Sequence, residues 1–180
     1  WRHPRHARRA ALAARELGFE EVSVSHELSP MVRYVTRGDT TVLNAYLALP
    51  LRAYLGALGR DPAHPLSARN QGAVQIASAW SVQLGRGGFH VNHFHNQGWI
   101  SSAYYVQVPE EAGDTELKSG WLRLGEPRFA TPAAPVGCVV QPHAGQLVLF
   151  PSYMWHGTSP ILGAQPRTAV SFDAVPAGGG

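Results

Sequence analysis

The chain has 180 residues, of which 44% are apolar and 15% charged, and its formal charge is +3. That balance excludes a disordered polyelectrolyte, fits one packed domain overall, and contains no run of about 18 apolar residues that would cross a membrane. The single cysteine, Cys138, excludes an intrachain disulfide. A reducing, cytoplasmic setting is therefore expected, and any metal site has to be built from histidines and carboxylates.

The front of the chain reads as helix. His6 to Leu17 is rich in Ala, Arg and Leu, with Gly18 placed to cap its end. Arg2, Arg5, Arg8, Arg9 and Arg15 supply much of the positive charge there. Neither interleaved aromatics nor a zinc-finger spacing accompanies them, so they read as a solvated face and no nucleic-acid partner is expected. The chain begins at Trp1 rather than Met, so nothing about targeting is read from that end. Thr40 or Thr41 is placed to cap a second helix over Val42 to Leu58. Its residues Leu43, Tyr46, Leu47, Leu51, Tyr54, Leu55 and Leu58 recur at helical spacing, and Pro50 is expected to kink it. Two prolines and two glycines make Gly59 to Gly72 a loop.

From Ala73 onward the pattern changes to strands. Val74, Ile76, Trp80, Val82 and Leu84 share one parity, which predicts a half-buried strand. Further strands are expected at Trp99–Val108, Gly120–Leu124, Val136–Gln141, Gln146–Phe150 and Arg167–Val175. Short strands at such intervals predict a sandwich or a jelly-roll barrel. Residues 1–72 are expected to form a helical portion supporting a core of residues 73–176.

Three histidines fall within Gly88-Phe89-His90-Val91-Asn92-His93-Phe94-His95. On extended chain His93 and His95 point one way and His90 the other. Two imidazoles on one face can share a metal, although a hydrogen-bonded surface pair has the same spacing. His156 follows the apolar run Leu147–Phe150 and the turn at Pro151-Ser152, and a later barrel strand returning beside the HxH pair would add a third imidazole. Arg167 and Ser171 share a parity in the strand Arg167–Phe172. A guanidinium entering a small barrel is costly unless it meets an anion, for which a bidentate carboxylate is the natural partner; an Arg reaching solvent is the plainer alternative.

In their order, these motifs resemble the iron(II)/2-oxoglutarate oxygenase superfamily: the HxH pair, Ser102-Ala103-Tyr104-Tyr105-Val106, Gly145–Ser152 leading to His156, and Arg167-Thr168-Ala169-Val170-Ser171. Within it they are similar to a group of bacterial oxygenases related to the prolyl-hydroxylase branch. The resemblance covers roughly Ala73 to Val175, and Gly125-Glu126-Pro127-Arg128 resembles a signature of that group. It implies a mainly β fold, a double-stranded β-helix (jelly-roll) barrel with N-terminal helices packed against it. It also implies iron(II) held by His93, His95 and His156, and 2-oxoglutarate held at its far carboxylate by Arg167, Ser171 and Tyr105, with no catalytic residue beyond the metal centre. His95 stands where the superfamily usually places a carboxylate. Either His95 is itself the ligand, or Asp114, Glu116 or another acidic group completes the set with His95 behind it. The implied reaction is a 2-oxoglutarate-dependent hydroxylation of a small molecule or peptide, with release of succinate and carbon dioxide.

Two other readings fit the same histidines. One is a three-histidine, cupin-type dioxygenase that needs no 2-oxoglutarate, which Gly87 and His93-Phe94-His95 partly match, without the expected Glu. The other is a metal-binding jelly-roll module with no catalysis. Trp80, Trp99 and Trp155 either line a substrate mouth or pack in the core.

Overall fold

The computed structural model describes residues 5–19, 22, 24, 34–129 and 137–177, and side chains from Tyr46 onward in the second helix. They form two compact units, one comprising Trp1–Ser78 with Val175–Gly180 and the other Ala79–Ala174.

In the first unit, helix α1 spans Arg5–Glu16. It ends at Gly18, whose positive φ of 91° lets the chain turn away while Phe19 N–H donates to Ala14 O. Helix α2 spans Tyr34–Leu58. It starts well before Thr40 and Thr41, which lie inside it and do not cap it. It also runs on through Pro50, so the proline does not end the helix: it forfeits one N–H bond, and the turns on either side keep theirs. Leu47, Leu51 and Leu55, four residues apart, form the buried stripe of α2, whereas Tyr46, Leu49 and Pro50 are exposed. Leu43 lies outside the described side chains. Buried Asn70 donates through Nδ2 to Leu55 O at 2.8 Å and Gly59 O at 2.7 Å, satisfying carbonyls that the end of α2 leaves open.

Seven strands follow, and the described residues are mainly β. They are β1 (Val74–Leu84), β2 (Ile100–Gln107), β3 (Leu122–Leu124), β4 (Val139–Val140), β5 (Leu147–Pro151), β6 (His156–Thr158) and β7 (Arg167–Pro176). Val136, the first residue of one expected strand, lies outside the described residues. One sheet has the order β1-β7-β2-β5 and the other β4-β3-β6. The pairings of β2 with β5 and β7, and of β3 with β4 and β6, are antiparallel. Leu122, Leu124 and Phe150 form a buried cluster with Val140, Val148 and Met154 against it. Ile76 of β1 is buried, but Trp80 is 37% exposed. Burial in β1 alternates only toward its end, where Val82 and Leu84 are half-buried between exposed Ser81 and Gln83. Ala77–Ser81 are all exposed, and Trp80 and Val82 border an open cavity.

Candidate metal centre

Two separate segments bring the histidines together. His93 lies on irregular chain tied to β6 by an isolated antiparallel bridge: His93 N–H donates to His156 O at 2.9 Å and His156 N–H to His93 O at 2.8 Å. His95 N–H donates to Ser152 O at 2.8 Å, which fixes the next-but-one residue against the turn after β5. Gly157 makes this approach possible, because a Cβ there would overlap Asn92 Oδ1 and lie 2.8 Å from His90 O. Ring centroids are 4.3 Å apart for His93 and His156, 4.9 Å for His95 and His156, and 5.2 Å for His93 and His95. One ligand nitrogen from each ring lies within 4.8 Å of the other two.

The hydrogen bonds decide which nitrogens those are. Nδ1 of His93 lies 2.8 Å from Val91 O, and Nδ1 of His156 lies 3.0 Å from Met154 O. Nδ1 of His95 lies 2.7 Å from Asp173 Oδ1. Carbonyl and carboxylate oxygens only accept, so each Nδ1 carries the proton and donates, leaving the Nε2 lone pair of each ring for a metal. Burial drives His156 down to about 4 from its ordinary 6.5, outweighing the bond to Met154 O that raises it, so its ring stays neutral and ready to ligate. Three imidazoles converging on one point fit a divalent transition metal such as iron(II).

Asp114, the sequence's alternative ligand, instead accepts hydrogen bonds from the backbone N–H groups of Glu116 and Leu117 in an exposed turn. Among the described residues no carboxylate joins the three-histidine group. His90 is outside that group too, yet it borders the same cavity and does not point away from it, because residues 90–95 are not a regular strand. Burial, then Arg167, then His93 lower its pKa.

The second feature of the cavity is cationic. Arg167 at the start of β7 is 3% exposed. Its Nη1 donates to Gly120 O at 2.7 Å, while its Nε has no partner among the described residues. Its guanidinium carbon lies 5.5 Å from the Tyr105 ring centroid, and the Tyr105 hydroxyl is likewise buried without a partner among the described residues. Burial lowers the Arg167 pKa, against the opposing pull of Tyr105, and raises that of Tyr105, against that of Arg167. Ser171, on the same face of β7, lines the cavity with them. All six residues that the sequence nominates therefore border one cavity: His93, His95, His156, Arg167, Ser171 and Tyr105.

Trp80, Val82, Phe89, His90 and Val91 surround an adjoining opening of about 460 Å³ on the His93 and His95 side. Trp80 stands edge-on to His95 at 5.6 Å. Trp99 is 1% exposed and belongs to the core, and Trp155 stacks edge-on with Phe94 and Phe129. Gly125, with φ 82°, donates its N–H to Trp155 O at 2.7 Å, and Glu126 pairs with Arg123, so the Gly125–Arg128 segment braces the chain that delivers His156.

The family model described as "Putative 2OG-Fe(II) oxygenase" matches residues 78–173, more than half of the chain. The chain belongs to the 2OG-Fe(II) oxygenase family. The chemistry of this oxidoreductase family uses iron(II) and 2-oxoglutarate. In fold, this 2OG-Fe(II) oxygenase is similar to a crystal structure titled as an oxidoreductase of the 2OG-Fe(II) oxygenase family from Burkholderia pseudomallei. The TM-score is 0.54 with 12% identity over 77% of this chain and 56% of that one. A likeness also exists to a Pseudomonas putida prolyl-4-hydroxylase, with TM-score 0.44 and 20% identity over 73% of this chain and 80% of that one. A stretch of 61 residues, 34% of this chain, is 38% identical to 5-oxoprolinase of Saccharomyces cerevisiae. The chain spans about a twentieth of the length of that curated relative. The jelly-roll fold expected from the sequence is that of the 2OG-Fe(II) oxygenase family, and the two antiparallel sheets are consistent with it. No helix among the described residues is long and apolar enough to cross a membrane.

Proposed function

We propose that the protein is an iron(II)- and 2-oxoglutarate-dependent dioxygenase that hydroxylates a small molecule or peptide. The reading rests above all on Arg167, a guanidinium almost wholly buried, with its Nε unpaired, in the cavity that the three histidines border. An unsatisfied buried charged donor costs on the order of 1–3 kcal/mol or more, which an arriving carboxylate recovers. A passive metal-binding module has no use for such a donor, and in a three-histidine dioxygenase that needs no 2-oxoglutarate it would have to grip an acidic prime substrate instead.

In this reading His93, His95 and His156 hold iron(II) through Nε2, and Arg167, Tyr105 and Ser171 grip the distal carboxylate of 2-oxoglutarate. When bound, the iron supplies the oxidative chemistry: one atom of dioxygen goes to succinate as carbon dioxide leaves, and the other enters the substrate as a hydroxyl. The chain's own contribution is orientation and shielding. Arg167 and Tyr105 would hold the far carboxylate of the co-substrate in the cavity that the histidines also border. Trp80, Phe89 and Val91 give the mouth an apolar wall. The substrate enters through that mouth. Residues 73–176 form the oxygenase core.

Anaerobic addition of iron(II) and 2-oxoglutarate is expected to give an absorption band near the visible range that neither gives alone. Admission of air is expected to release succinate, and Arg167→Ala to suppress that release. Metal binding with no such band and no succinate, even uncoupled from a substrate, would overturn the reading.

A further inference from the structure

Three imidazoles bring no charge to a divalent cation, whereas non-haem iron oxygenase sites of the two-histidine type supply one carboxylate. The three second partners here are not equivalent. His93 and His156 donate from Nδ1 to neutral backbone carbonyls, those of Val91 and Met154. His95 alone donates to a carboxylate, Asp173 Oδ1 at 2.7 Å. The two side chains are only 20% and 14% exposed, so water screens the pair little. Asp173 is itself held in place. Its register partner across β2 and β7 is Ser101, whose hydroxyl donates to the same Oδ1 at 2.6 Å and lies 2.8 Å from Ser152 Oγ. Ser101 and Ser152 are 1% and 0% exposed. Gly98 closes the assembly, since a Cβ there would overlap Ser152 Oγ and meet Asp173 Cβ at 3.5 Å.

We propose that Asp173 is a positioning residue of the metal centre: through the His95 Nδ1–H···Asp173 bond it orients that ring and gives it the anionic character that a directly ligating carboxylate would otherwise supply. The negative charge is moved one residue outward, and the third ligand becomes a strong, imidazolate-like donor. A carboxylate behind a ligating imidazole raises its basicity, and losing such a partner commonly weakens metal binding about 10–100-fold. The proposal rests on the three-histidine iron reading above, and its test separates the two.

Iron(II) affinity is measured anaerobically, by competition with a chromogenic chelator, for the parent, Asp173→Asn, His95→Ala and the double variant. Asn keeps an oxygen that can accept from Nδ1–H but carries no charge. Asp173→Asn is expected to bind iron(II) about 10–100-fold more weakly in the parent background. In the His95→Ala background the same change is expected to cost less than about twofold, because its effect passes through that ring. Equal losses in both backgrounds mean a general structural role and overturn the proposal, as does parent-like binding by Asp173→Asn. Should Asp173→Asn not fold, or His95→Ala bind too little iron to measure, the zinc(II)-loaded parent decides. Its proton NMR spectrum is expected to show three slowly exchanging Nδ1–H resonances, with that of His95 furthest downfield. Absence of a His95 Nδ1–H proton, or its resonance lying level with those of His93 and His156, overturns the proposal. A parent that binds iron(II) and shows the 2-oxoglutarate band, with an indifferent Asp173→Asn, leaves the oxygenase standing without this relay. A parent that binds no iron(II) removes both.

Discussion

The histidine cluster and the arginine site border the same cavity and are built on opposite plans. Around the metal position, every imidazole already has its Nδ1 partner: Val91 O, Asp173 and Met154 O. The rings are oriented before any cation arrives. Around Arg167 the reverse holds, with Nε and the Tyr105 hydroxyl buried and unpaired. A group that is fully satisfied by the protein is scaffolding, and one left unsatisfied at a cost is waiting for a ligand. The contrast separates residues whose loss disorganises the metal from residues whose loss affects only the co-substrate.

The sharpest way to break that contrast is at the rings. His93→Ala and His156→Ala each remove one of the three proposed ligands and are expected to abolish iron(II) binding at micromolar metal, together with all succinate formation. Equilibrium dialysis checks the first and a coupled succinate assay the second. Retention of stoichiometric iron by His156→Ala would show that the metal uses another ligand set.

Arg167→Ala comes next. Truncating one partner of a buried, hydrogen-bonded charge pair costs about 2–5 kcal/mol, or roughly 30- to 5,000-fold in 2-oxoglutarate affinity. Iron(II) affinity is expected to stay within a few-fold of the parent, since Arg167 touches none of the rings' hydrogen-bond partners. Titrating 2-oxoglutarate into the anaerobic iron complex measures the first quantity and chelator competition the second. Equal losses in both would mean that the two sites are not separable.

Much of this division is legible in the sequence, and the reason is periodicity. In β7 the two-residue repeat puts Arg167, Ala169 and Ser171 on one face, and all three line the cavity. The same alternation runs on to Asp173, which the motif spacing leaves unread because its partner, His95, lies 78 residues away and is joined to it only by the fold. His90 shows the opposite failure. Its odd offset from His93 predicts that it faces away, but the segment is not a regular strand and the offset does not apply. β6 is also hard to read, being three residues long, with His156, Gly157 and Thr158 all buried and no alternation to detect. In the first unit, Leu47, Leu51 and Leu55 show the helical period plainly, whereas Thr40 and Thr41 resemble a cap only because capping residues also occur inside helices.

The two sites also differ in what acid does to them. Burial holds His156 near 4 in the fold, whereas its ordinary value is 6.5. Below about 6.5 the unfolded chain takes up a proton that the folded one resists, so the unfolded state binds more protons until the pH falls through the folded value. This contribution to stability is thus present above 6.5 and is lost on acidification toward 4, by at most about 3 kcal/mol. Thermal melts of the metal-free protein are expected to fall more steeply between those limits than melts of His156→Gln. Parallel slopes would show that His156 is not held neutral by the fold.

The smallest expected effect is the finest probe of the arginine site. Tyr105 is fully buried and its ring lies beside the Arg167 guanidinium, so replacing it with Phe keeps the packing and deletes only the hydroxyl. In the ligand-free protein that hydroxyl has no partner, and its removal is expected to leave the melting temperature unchanged or slightly raised, because a buried unsatisfied group is a cost. If 2-oxoglutarate binds as proposed, the same hydroxyl would donate to the distal carboxylate, and its loss is expected to weaken co-substrate binding by about 1–2 kcal/mol, roughly 5- to 30-fold. The opposite signs are the diagnostic feature, since replacing a purely structural tyrosine would lower stability and leave affinity unchanged. A Tyr105→Phe protein that melts lower than the parent and binds 2-oxoglutarate equally well would place the hydroxyl outside the co-substrate site and leave Arg167 and Ser171 to hold the acid alone.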